Sequence, residues 1–519
     1  MRYDATMLDI GREKQVFVDD LLIESAEHIC RTWHQPVRVS DSPVIVMDKP
    51  WEHIAYFTFN GSQVVRDPED GGLFKCVYHT WEHSPRAGDS PLGTNIHNVL
   101  YAESEDGILW RKPELDVHKV DGQLTNVVIP NALGVSYVLN PHEPDRAKRF
   151  KGLFLNYLPH KYEEPDWVGA ATSGDLVHWT WMQERPTFGR VGARMGDSNG
   201  LYYDPGGRLY VLNMRHYDIQ AVPVNLNNPM LKAWSICPPY YPLDWSRANK
   251  RRVWQAESSD LIHWSEPYSI LTPEDGEDNL DETFYGFCQF SVGGLRMGFL
   301  PILHYVSNTM DVRLVYSRDG KMWHHLNKRQ PFLRPRGEGH WDRYMVTISH
   351  GPIEVGDELY IYHGGAINHH DWWITGERED LQEPEVLDRK NVNYALGLVK
   401  LRLDGFASLD ARAPRRGILI TRPLISDGTQ LMVNARCQAG GSICAEIVNL
   451  RDEVFPGYSR EDCVVFQGDD VRHVFSWKGN SNLPPARTRK ADYPQPEFER
   501  YRKIRFYVDR AELYSLTIC

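Results

Sequence analysis

The feature that most constrains this chain is a short string that occurs four times. The copies are Ser104-Glu105-Asp106-Gly107-Ile108-Leu109-Trp110, Ser173-Gly174-Asp175-Leu176-Val177-His178-Trp179, Ser258-Ser259-Asp260-Leu261-Ile262-His263-Trp264 and Ser317-Arg318-Asp319-Gly320-Lys321-Met322-Trp323. Each reads Ser-x-Asp-(Gly/Leu)-x-x-Trp, and successive serines stand 69, 85 and 59 residues apart. That interval is longer than a solenoid repeat and suits a four-stranded propeller blade carrying loop insertions. An Asp that folds back on a tight turn, followed by a large aromatic filling the gap between sheets, accounts for the residue types.

Between the copies the chain alternates. Five stretches read as innermost blade strands: Ile54 to Val65, Val135 to Leu139, Leu201 to Tyr203, Gly286 to Ser291 and Met345 to Ile353. Each is followed by a turn and a second apolar strand, beginning at Leu73, Phe150, Leu209, Leu295 and Glu358. The fifth unit lacks a Ser-x-Asp copy, and Gly397 to Phe406 stands where one would fall. From about residue 413 the repeat gives way to short alternating strands, which reads as an appended sandwich. The expected fold is all-β: a five-bladed β-propeller over 43–412 and a C-terminal β-sandwich over 413–519, with residues 1–42 as an N-terminal arm packing on the propeller.

Composition excludes some partners. The formal charge of −12 argues against nucleic acid, whose backbone calls for concentrated Lys and Arg. No run of about 18 apolar residues appears, and Met1-Arg2-Tyr3-Asp4 is followed by charge instead of an apolar core, so no export or membrane segment is expected. Eight cysteines without a C-x-x-C pair read as reduced, buried thiols, and the location expected is cytoplasmic. Aromatics make up 12% of the chain, which suits sugar faces and interblade packing equally.

Ala171-Thr172-Ser173-Gly174-Asp175-Leu176-Val177-His178-Trp179, five expected blades and a following sandwich together resemble the five-bladed propeller glycosidases, the superfamily of β-fructofuranosidases, arabinanases and β-xylosidases. The first blade has Pro50-Trp51-Glu52-His53 where a fructofuranosidase carries Trp-x-Asn-Asp-Pro. The resemblance implies hydrolysis of a glycosidic bond by carboxylates gathered around the propeller axis, one protonating the leaving oxygen and another attacking or activating water. The substrate expected is a terminal, furanoside-type sugar on a short oligosaccharide.

Propeller geometry sorts the acids. An innermost strand starts at the ligand-binding mouth and runs to the far face, so Asp67 and Asp204, in exit turns, read as structural. Asp197 lies seven residues before Asp204, about 23 Å at ~3.3 Å per residue, and belongs at the mouth. Asp281, Glu282 and Asp342 precede the fourth and fifth inner strands, and Glu52 the first. Glu282, near Phe284, Tyr285 and Phe287, is assigned as acid, Asp197 as base or nucleophile, and Asp342 as a positioning carboxylate, with the two aspartates interchangeable. Asp281 faces opposite to Glu282.

The second strands return to the mouth, so Trp51, His79, Arg215, Tyr285, His304, Trp341, Arg343, His369 and His370 are the candidate substrate-binding residues, offering stacking faces and fork-like donors. The insertion from Tyr217 to Lys250 is either a lid or a subunit contact in a homo-oligomer. Relatives hold calcium in the central channel, within reach of His304, His350 or His363, but without EF-hand or zinc spacing no metal and no cofactor is expected. Two alternatives stay open: a lyase or glycan phosphorylase on the same scaffold, the latter with Arg194, Arg215 and Arg343 for phosphate, and a non-catalytic sugar-binding propeller.

Overall fold

The computed structural model describes residues 7–52, 55–58, 61–80, 98–156, 168–188, 198–217, 251–274, 276–279, 281–304, 307–370, 393–412, 414–488 and 501–519. Strands hold 56% of the described residues and helix 2%, so the fold is all-β. Five antiparallel meanders follow one another. The first has the inner strands Ala55–Tyr56 and Ser62–Asp67, then Leu73–Thr80 and Asn98–Ser104. The second runs Ala132–Leu139, Phe150–Asn156, Val168–Ser173, Trp179–Trp181. The third runs Asn199–Asp204, Leu209–Tyr217, Arg251–Ser258. The fourth has Glu282–Phe284 and Cys288–Val292, then Leu295–His304 and Thr309–Ser317. The fifth has Met345–Thr347 and Ile353–Val355, then Glu358–Ala366 and Tyr394–Arg402.

Period-two alternation makes each meander apolar on both faces, and each face is covered by a different neighbour. In the fifth, Leu359 and Ile361 pack with Phe299 and Leu314 of the fourth, while Tyr360 and Tyr362 pack with Phe74 and Tyr78 of the first. In the second, Phe150 and Phe154 meet Val99 and Tyr101 of the first, whereas Leu153 and Leu155 meet Leu201 and Leu212 of the third. Val253 and Leu271 of the third complete the round against Phe284 and Leu300 of the fourth. First and fifth approach so closely that a Cβ on Gly364 would stand 1.8 Å from the Phe57 carbonyl oxygen.

The four repeated strings form one turn, built four times. In the second copy Ser173 Oγ accepts from the Leu176 amide at 2.9 Å, and Asp175 Oδ1 accepts from the Val177 and His178 amides, both at 2.8 Å. Trp179 Nε1 then donates to the Leu176 carbonyl at 2.9 Å. The same bonds recur around Asp106, Asp260 and Asp319. The Gly/Leu position takes φ of 76°, 71°, 72° and 73° in the four copies. Glycine adopts this left-handed conformation freely; Leu176 and Leu261 bear its strain because their side chains are almost wholly buried.

The fifth meander has no such turn because its outermost strand comes from elsewhere. Val37–Arg38 pairs with Val399 and Lys400, so the N-terminal segment supplies the edge that the other meanders make for themselves. The rest of the arm lies between propeller and C-terminal sheet: Val16, Val18 and Trp33 pack with the fourth and fifth meanders, while Gln15–Val16 pairs with Lys503–Ile518, Ile23–Glu27 with Gly417–Thr421 and Cys30–Trp33 with Ala407–Ala411 of the C-terminal sheet, and Leu8–Gly11 forms a separate parallel pair with Leu424–Ser426. Ala407–Ala411, ahead of the expected boundary at 412, already belongs to that sheet. The long strands Leu431–Val448 and Lys503–Ile518 pair along their length with a break between Cys437 and Ser442, where Gly440 and Arg510 have φ of 71° and 44°. Trp477 sits at the centre of their core, its Nε1 donating to the Ala445 carbonyl at 2.8 Å.

Candidate functional site

Antiparallel pairing fixes the ends of the meanders. Ala55 lies opposite Thr80, Ala132 opposite Asn156, Glu282 opposite His304 and Met345 opposite Ala366, so inner-strand starts and second-strand ends share one end. The exit turns occupy the other. There Asp67, fully buried, accepts from Arg149 of the second meander at 2.6 and 2.5 Å and from Lys75 at 2.9 Å. Burial alone would raise its carboxyl, but these donors outweigh that and hold it below the usual carboxylate range. Asp204 meets Arg296 of the fourth meander at 2.6 Å in the same way. Both acids tie one meander to the next.

Two of the acids chosen at the opposite end, Glu282 and Glu52, share one device. Glu282 accepts from Arg313 Nη2 at 2.5 Å, Asn279 Nδ2 at 3.0 Å and the Asn279 amide at 3.1 Å, and its own amide donates to the Asn279 carbonyl at 3.0 Å. Glu52 does the same three residues after Lys49: its carboxylate accepts from the Lys49 amide at 2.9 Å and Lys112 at 2.7 Å, and its amide donates to the Lys49 carbonyl at 3.0 Å. Tyr78 and Lys112 complete the Glu52 site, and Asn126 joins Tyr78 to Trp51, whose Nε1 donates at 2.8 Å. Asp342, fully buried, accepts from Arg38 at 3.0 and 2.8 Å and from Arg336 at 2.6 Å. Burial would raise its carboxyl; Arg336 and Arg38 more than offset this and leave it lowered.

Each acid therefore stands in its own cluster within the first, fourth or fifth meander, locked to a cation from an outer strand or from the segment beyond it. Glu282 and Asp342 have different partners: the former belongs with Asp278, Arg313 and Arg329, the latter with Arg38 and Arg336. Replacing a carboxylate so saturated with donors would strand a buried cation. Asp281 is half-buried, and its charge acts on His304. Asp197 and Arg194 lie outside the described residues, as do 218–250 of the insertion and 371–373.

What does converge is aromatic and cationic. Tyr285, at the break in the fourth inner strand, lies under two guanidinium groups of the third meander: Arg215 at 4.5 Å from its ring centre and Arg251 at 4.4 Å. His370, just beyond the second strand of the fifth meander, meets the Tyr285 ring edge-on at 4.9 Å, and its amide donates to the Asn308 carbonyl at 3.0 Å. His369 stacks on Tyr344 at 3.8 Å, with Arg343 4.6 Å from the same ring. All these groups sit at the inner-strand-start end. The amide of Arg215 donates to the carbonyl of Ser198, the residue after Asp197, at 3.1 Å. Arg251 was not singled out in the sequence; its signal was the Arg251-Arg252 pair that opens a strand directly after the long insertion.

The remaining candidates divide. His79 is buried at the end of its strand, opposite Val99. Trp341 stacks on His363 at 5.4 Å and 16°, lying over Gly365 and Gly397, where side chains would collide with it. His304 stands between two carboxylates, Nε2 2.9 Å from Asp311 and Nδ1 3.6 Å from Glu282. Burial opposes its charge, yet the bond to Asp311 and the charges of Asp311, Glu282 and Asp281 raise it above an ordinary histidine. Burial pushes His363 down to about 3 and His350 down to about 4. Among the described residues no cluster of three or more His, Cys, Asp or Glu is arranged to hold a metal ion.

No family model and no curated protein matches the chain. Solved structures similar to it include a glycoside hydrolase (12% identity, 71% of this chain and 92% of that one, TM-score 0.44). A β-1,2-mannobiose phosphorylase from Listeria innocua is similar at 10% identity, 72% and 98% coverage and TM-score 0.44. An N-acetylgalactosamine deacetylase from F. plautii is similar at 14% identity, 73% and 97% coverage and TM-score 0.41. Likeness at these scores carries no weight for the chemistry, which rests on this chain's own residues.

Proposed function

We propose that this protein is a carbohydrate-active enzyme that cleaves a glycosidic bond, with the five meanders as blades of a ring-closed propeller and the C-terminal sheet folded into a sandwich. The observation that carries this reading is the convergence of Arg215, Arg251, Tyr285 and His370 from three successive meanders at one end of the ring. Forked donors beside aromatic rings match the hydroxyls and faces of a sugar. Glu282, Glu52 and Asp342 serve as anchors that hold this end of the ring in shape. The carboxylates we assign to the reaction are Asp197, which precedes Ser198 in the sequence, and Asp281, whose charge acts on His304. One activates water or attacks the anomeric carbon, and the other protonates the leaving oxygen.

Turnover of a panel of nitrophenyl glycosides and short oligosaccharides tests this. Asp197→Asn and Asp281→Asn are expected to lower kcat by at least about 100-fold, the scale of a lost general acid or base, while binding persists. Unchanged turnover in both variants removes the assignment. The paired guanidinium groups favour phosphorolysis as the second reading, and a rate that rises with inorganic phosphate and yields a sugar phosphate selects it.

A further inference from the structure

The C-terminal sheet holds a chemical feature that the proposed activity does not use. Cys444 lies on the strand Leu431–Val448, and Cys463 on the segment that folds back against it, where Ile443 and Phe466 exchange backbone hydrogen bonds of 3.0 and 2.9 Å. Cys444 and Cys463 belong to the same apolar cluster of that sheet. The Ala445 amide, next to Cys444 in the chain, donates to Cys463 Sγ at 3.3 Å. Both cysteines are free, and they are 8% and 6% exposed, so they lie just beneath the surface.

Their surroundings make the pair unequal. Arg460, its guanidinium held 4.7 Å over the Tyr507 ring, and Arg416 act on Cys444 with positive charge, and Glu446 acts on Cys463 with negative charge. The contact with Cys463, then the arginines, bring the Cys444 thiol down to about 7, whereas Cys463 is pushed up. A thiolate beside a protonated thiol is the arrangement that oxidation to a disulfide requires.

We propose that Cys444 and Cys463 form a redox-active pair that a peroxide converts into an intrachain disulfide. The Cys444 thiolate attacks one peroxide oxygen, breaking the O–O bond and becoming a sulfenic acid as hydroxide leaves. The Cys463 sulfur then attacks the Cys444 sulfur, the S–O bond breaks, and the thiol proton leaves with the departing hydroxide as water. In total two thiols and one hydrogen peroxide give one disulfide and two waters. The new bond pins the surface excursion 449–462 to the end of the long strand.

The test is graded hydrogen peroxide on the full-length reduced protein, read by thiol counting in denaturant and by peptide mass mapping. The expected result is loss of two thiols per chain with a Cys444–Cys463 linked peptide, at peroxide levels that leave Cys76 and Cys288 reduced. Cys463→Ser is expected to leave a sulfenic acid at Cys444 that dimedone traps, and Cys444→Ser to leave Cys463 reduced. Oxidation confined to the exposed Cys30 and Cys519, with Cys444 and Cys463 recovered as free thiols, overturns the proposal.

Discussion

Glu282→Gln separates an anchor from an acid. In the wild-type chain the carboxylate is 3% exposed and receives three hydrogen bonds, the shortest from Arg313 at 2.5 Å. Breaking a buried ion pair from one side costs about 3–5 kcal/mol, because the abandoned charge stays buried. The lower end applies here, since Arg313 keeps Asp278 at 2.9 Å and glutamine retains one acceptor oxygen. With a urea slope of about 3 kcal/mol per molar, a loss of about 3 kcal/mol moves the midpoint down by about 1 M. The assay is urea unfolding followed by tryptophan fluorescence, alongside turnover measured well below the transition. We expect a clear drop in midpoint with activity largely kept at low temperature. Replacing both partners, Glu282→Leu with Arg313→Leu, should cost less than either change alone, because no charge is then stranded. A variant as stable as wild type that has lost turnover would refute the anchoring argument and return Glu282 to the role of proton donor.

Three further outcomes follow from the same structure. Asp67→Asn leaves Arg149 and Lys75 facing a neutral group inside the first-to-second contact and should destabilise by about 3–5 kcal/mol at neutral pH; because the native carboxyl is lowered, its contribution is present above the unfolded value of about 3.9 and is lost as pH falls through the folded value, so wild type and variant should converge in acid unfolding curves. His304 is raised by Asp311, Glu282 and Asp281, so its contribution is full below the unfolded value of about 6.5 and disappears as pH rises through the folded one; NMR titration should place it above an ordinary histidine, and Asp311→Asn should bring it down. Deleting residues 1–38 removes the edge strand of the fifth meander, three strands of the C-terminal sheet and the partner of Leu424–Ser426, and should yield an aggregating chain, detectable by size-exclusion chromatography, instead of a trimmed monomer.

Local chemistry was legible and partnership was not. The Ser-x-Asp strings announced their own turns, because every bond in them runs between residues at most three apart. The inner and second strands could be read from alternation and turn residues. Glu52, Glu282 and Asp342 could be picked out by their position at the inner-strand starts, but the sequence offers no sign that Lys112, Arg313 and Arg38 would reach them across 60, 31 and 304 residues. Arg251 was missed for a similar reason: its strand could be read, but its approach to Tyr285 depends on how two meanders pack.

What the sequence determined by itself is whatever a few neighbouring residues settle: the turns, the alternation that makes each strand apolar on one or both faces, and the placing of Asp67 and Asp204 in exit turns. Tertiary structure alone decided which sheet each N-terminal strand joined, which cation each buried acid met, and that arginines from the third meander would enclose a tyrosine of the fourth. The reason is physical. A strand's backbone hydrogen bonds and a buried charge both demand partners, but many segments of the chain satisfy either demand equally well. Only the packing of the meanders together, with every face covered at once, selects among them.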